Sequence, residues 1–66
     1  MIHNDTELQV TQERILRFER FLAEARKTSS PSNYHAMAEG YLIEIDKMRT
    51  EIREYLSQVP ETVEAA

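Results

Sequence analysis

The chain reads as an all-α protein: a two-helix antiparallel hairpin that dimerises into a four-helix bundle. Three observations predict this. Apolar residues recur at alternating steps of three and four in both halves. Turn-forming residues are concentrated in one short segment, Thr28-Ser29-Ser30-Pro31-Ser32-Asn33. A chain of 66 residues also buries too small a fraction of its surface, about 60%, to be comfortably stable alone.

The first helix carries Leu8, Thr11, Ile15, Phe18, Leu22 and Ala25 on one stripe, and ends in Arg26-Lys27, where cations complement the helix dipole. Two starts compete. Asn4 with Glu7 makes a capping box, while Thr11 makes an N-cap flanked by Val10 and Ile15 as a hydrophobic staple. We take the break near Thr11, giving helix 1 over about residues 11–27, roughly 24 Å long. Residues Met1 to Val10, with Ile2, Leu8 and Val10, or a second protomer, then cover the C-terminal third of helix 2.

The loop spans residues 28–33, and helix 2 covers about residues 31–57, roughly 40 Å. Ser30 suits its N-cap, because the hydroxyl accepts from an amide of the first turn; Pro31 suits the first helical position, where no donor is required. Tyr34, Ala38, Tyr41, Ile45, Met48, Ile52 and Tyr55 form an unbroken heptad seam. Pro60 forbids continuation, so residues 58–66 are expected as a flexible tail.

The seam predicted to hold the bundle comprises Ile15, Phe18, Leu22, Tyr41, Ile45, Met48, Ile52 and Tyr55. Apolar groups spill beyond it. Phe21 lies on one flank of helix 1 and Leu16 and Ala23 on the other, an arc of roughly 220° that one partner helix cannot cover. Helix 2 repeats the excess with Met37 on one flank and Leu42 and Leu56 on the other. A homodimer is the expected solution, an unidentified protein partner the alternative. Gly40, costly inside a helix, makes with Ala36 and Ile43 a small-residue notch readable as a second contact surface or as a tolerated surface glycine.

Chemistry has little to stand on. His35 and Glu39 lie at i, i+4, and a metal-binding bundle enzyme would have to complete that pair across a dimer; the Glu-x-x-His spacing of di-iron bundles is absent. Ser29, Ser30 and Ser32 are explained by the loop, and one glycine cannot build a phosphate loop. The chain is expected not to be an enzyme and to use no cofactor or small-molecule substrate.

The net charge of −4, from 8 Lys+Arg and 12 Asp+Glu, disfavours direct nucleic-acid binding, which needs a basic surface. Arg14, Arg17 and Arg20 do not change this, since three-residue steps rotate off one face and glutamates intervene. Glu13, Arg17, Arg20, Glu24 and Lys27, and Lys47 with Glu51, read as weak pairs on solvated faces. The three tyrosines read as core residues whose hydroxyls reach an edge. No run of 18 apolar residues and no leader are visible and there is no cysteine, so a cytoplasmic protein is expected.

The order Ile2, Asn4-Asp5, Glu7-Leu8, Thr11, Arg14-Ile15, Phe18, Tyr34, Met37-Ala38, Gly40-Tyr41-Leu42, Glu44-Ile45 and Ile52-Arg53-Glu54-Tyr55-Leu56 resembles a small bacterial helical-hairpin module. It is similar to the hairpins that precede the DNA-binding domain in some HigA-type antitoxins. The sequence ends at Ala66 without a helix-turn-helix, so the resemblance implies a dimerising or partner-binding fragment whose effect on DNA is indirect.

Overall fold

The computed structural model describes residues 1–59. Their regular structure is two helices, α1 (Asp5–Thr28, 24 residues) and α2 (Pro31–Ser57, 27 residues). The helices pack antiparallel: Asp5 meets Tyr55 at one end, and Glu19 meets Arg49 midway. Most of the expected tail, residues 60–66, lies outside the described residues.

The start of α1 corrects the expectation of a break near Thr11. Asn4 adopts an extended conformation (φ −155°, ψ 173°) and its Oδ1 accepts from the Glu7 amide at 2.8 Å. Glu7 reaches back, its Oε1 accepting from the His3 amide at 2.7 Å, so two otherwise orphaned donors are satisfied. Asp5 and Glu7 add negative charge where the helix dipole is positive. Thr11 sits inside the helix, its hydroxyl donating to the Glu7 carbonyl at 2.9 Å, and Val10 is exposed instead of stapling an end.

With these boundaries α1 is about 36 Å long and α2 about 40 Å, a mismatch of about 4 Å in place of 16 Å. The C-terminal third of α2 is therefore covered by the first turns of α1.

The connection is also tighter than residues 28–33. Only Ser29 and Ser30 are non-helical, both extended, and Ser29 donates its amide to the Ala25 carbonyl at 3.0 Å. Ser30 is the N-cap of α2, its hydroxyl accepting from the Asn33 amide at 3.3 Å, with Pro31 in the first turn.

The core is a single stripe. Ile15 and Leu22 of α1 and Ala38, Ile45 and Met48 of α2 are buried together, with Phe18, Tyr34, Met37, Tyr41 and Ile52 packed against them. Each fully buried Leu, Ile or Met contributes about 1.5–3 kcal/mol by leaving water. No described side chain is completely withdrawn from solvent, because a two-helix layer offers each seam only one neighbour.

Candidate interaction surface

The seam residues singled out above are used up inside the hairpin. Ile15, Leu22, Ile45 and Met48 are buried, Phe18, Tyr41 and Ile52 half-buried against them, and Tyr55 half-buried at the open end. Any surface offered to another molecule must come from the flanks.

One flank is apolar and open. Leu16 of α1 and Leu42 and Leu56 of α2 remain 45%, 49% and 61% exposed. At Cβ directions of 100° per residue, all three fall on the same side of their seams, and in an antiparallel hairpin those sides form one face. Two shallow grooves run along it. The larger, about 810 Å³, is lined by Ile15, Leu16, Ile52 and Leu56, the other by Ala23, Tyr34, Leu42 and Ile45. Glu19 and Arg49 border both, joined as an ion pair across the helices, so the face has a charged centre; its wings are mainly apolar, with Arg53 at the edge of one groove and Arg26 and Asp46 at the edge of the other. Their side chains are 44% and 58% exposed, so within one chain the pair is worth no more than about 1 kcal/mol.

The opposite flank carries an aromatic cluster in which Phe21 remains 47% exposed. Tyr41 packs edge-on to Phe18 with centroids 5.3 Å apart, and lies 5.1 Å from Phe21 at a 43° tilt. Such contacts add about 0.5–1.5 kcal/mol beyond area burial, and hold Phe18 and Tyr41 half-buried while Phe21 faces solvent with about half its surface.

Ala36, Gly40 and Ile43 are exposed on the outer side of α2. A Cβ built on Gly40 meets no atom within 4 Å and its φ is not positive, so within the chain nothing approaches closely enough to require a glycine there. His35 and Glu39 are exposed, and no three metal-ligating side chains converge among the described residues.

The surface charges correct one pairing. Lys47 pairs with Glu44 at 3.8 Å, not with Glu51, whose carboxylate lies 3.5 Å from the Met1 ammonium. Ile2, only 5% exposed, anchors the N-terminus beside the last turns of α2 and so delivers that ammonium to Glu51. Lys27 pairs with Glu24 at 3.1 Å on the outer face of α1.

Tyr55 and Asp5 form a contact that periodicity did not single out: the phenol donates to Asp5 Oδ1 at 2.6 Å. That hydrogen bond, then desolvation, then the charges of Asp5 and Glu7 hold the phenol pKa above its usual 10.0. The available signal was register, since a two-residue turn brings positions 5 and 55 to the same end.

No described helix is long and apolar enough to cross a membrane. Compared with family models, curated proteins and solved structures, the chain matches none.

Proposed function

We propose that the protein is a binding module that self-associates, two hairpins closing a four-helix bundle, and that its role is to dimerise or hold another protein, not to catalyse a reaction. The observation that carries this reading is the face bearing Leu16, Leu42 and Leu56, left open after the seam has been filled within the chain. Three leucines between 45% and 61% exposed on one side of a 66-residue protein form the kind of patch that marks an interaction site. The polar groups that might suggest chemistry have structural employment: the Ser30 hydroxyl caps α2 and the Tyr55 phenol ties the open end. The acidic balance supports a protein partner over a nucleic acid.

Absolute mass by light scattering after gel filtration, across a dilution series, tests the reading. A mass near twice 7.8 kDa that persists on dilution is the expected result, and a fully helical monomer contradicts self-association. The resemblance to the hairpins of HigA-type antitoxins supports a further partner of different sequence, to be sought among the products of adjacent genes.

A further inference from the structure

We propose that the second copy docks on the leucine face about a two-fold axis parallel to the helices, so that Glu19 of each copy faces Arg49 of the other. The proposal rests on the self-association reading and specifies its geometry.

The area suffices. A face about 40 Å long, the length of α2, and 16 Å wide presents about 640 Å² per copy, or about 1,300 Å² in total, within the range of stable interfaces. Its apolar wings supply the burial.

The charges then choose the axis. Glu19 and Arg49 stand side by side on α1 and α2, between the two grooves. A two-fold axis running along the hairpin preserves each residue's height and lays α1 of one copy over α2 of the other. Glu19 then comes over Arg49, and the four side chains form a square of alternating charge. All neighbouring helices run antiparallel.

An axis across the helices at the height of this pair would lay α1 on α1 and α2 on α2, setting Glu19 against Glu19 and Arg49 against Arg49. Like charges meeting in an interface disfavour that arrangement. The ion pair that contributes little within one hairpin thus acts as a register device between two, discriminating against the wrong arrangement. Among the described residues no other ion pair joins α1 to α2, so neither the flank of Phe21 nor the notch of Ala36, Gly40 and Ile43 carries such a complement.

Full-length chains carrying Glu19→Arg, Arg49→Glu, or both test this by sedimentation over a dilution series, with helicity checked by circular dichroism. Each single variant alone brings four like charges together, and its dimer is expected to dissociate at least about tenfold more readily than wild type. Mixing the two single variants one to one restores association to within about threefold of wild type. The double variant recovers the alternating square with itself but, by the same geometry, excludes a fluorescently labelled wild-type chain. It also keeps the intrachain pair, and so tests the axis even where a single variant loses helicity.

A wild-type dimer indifferent to both single variants, or one that exchanges freely with the double variant, overturns this geometry and leaves self-association standing. A helical wild-type monomer overturns both, and leaves the face to a protein of different sequence.

Discussion

At the turn end of the hairpin, α1 and α2 are joined by two residues, Ser29 and Ser30, and buried Ala38 and Leu22 lie just beyond. At the open end no such link exists, and 50 residues of chain separate Asp5 from the Tyr55 phenol that binds it. There the helices are held by a clasp: Ile2 buried beside α2, the reciprocal cap of Asn4 and Glu7, the Asp5–Tyr55 hydrogen bond and the Met1–Glu51 contact. Connectivity keeps one pair of helix ends close at little entropic cost, whereas the other pair is ordered only by contacts that must each offset the freedom lost. The two ends should therefore respond differently to the same kind of damage.

The largest effect is expected from Leu22→Ala in the turn half. Removing a buried leucine from a stripe with no second layer should cost about 3 kcal/mol, a large fraction of the total for a domain of this size. Urea unfolding monitored by circular dichroism would show the midpoint fall, with protection lost throughout the hairpin.

Ile2→Ala removes a side chain of similar burial from the open end, but on a short terminal segment that can collapse into the space. About 2 kcal/mol or less is expected, and hydrogen exchange should quicken first in the opening turns of α1 and the closing turns of α2. Uniform loss of protection would show that the ends are not energetically distinct.

Asn4→Ala tests the clasp against the turn directly, because Ser30→Ala deletes the equivalent cap of α2. Each should cost about 1 kcal/mol, with the Asn4 loss confined to the first turns of α1 and the Ser30 loss felt by the whole hairpin.

Tyr55→Phe is expected to have the smallest effect, visible as faster exchange near Asp5 without a marked shift of the global midpoint. Its pH dependence has a definite sign. The folded chain holds the phenol proton more tightly than the unfolded chain does, so the contribution is fully present below pH 10.0 and is lost as pH rises through the higher folded-state value. A wild-type open end whose exchange, corrected for the intrinsic base-catalysed rate, does not loosen above that pH would remove the hydrogen bond from the account.

The seam was legible because heptad spacing depends only on local geometry: Ile15, Leu22, Ile45 and Met48 fall where steps of three and four put them. The capping of α2 by Ser30 and Pro31 was legible for the same reason. The start of α1 was not, because two chemically sound caps, Asn4 and Thr11, lay seven residues apart, and the choice turned on the Glu7 carboxylate reaching the His3 amide. Contacts between helices depend on register, which a two-residue turn fixes and periodicity does not. Asp5–Tyr55 and Glu19–Arg49 thus emerged only with the fold, and with them the charged centre of the leucine face.

The same two-residue turn orders events in time. The Glu19–Arg49 contact closes across 30 residues and the Asp5–Tyr55 contact across 50, a difference in loop-closure entropy of about 0.5 kcal/mol if each formed alone. Formed in sequence outward from Ser29 and Ser30, each contact shortens the loop that the next must close. The chain should therefore fold as a zipper from its middle, at the high rates typical of helical proteins with mainly local contacts, with the clasp the last part to form.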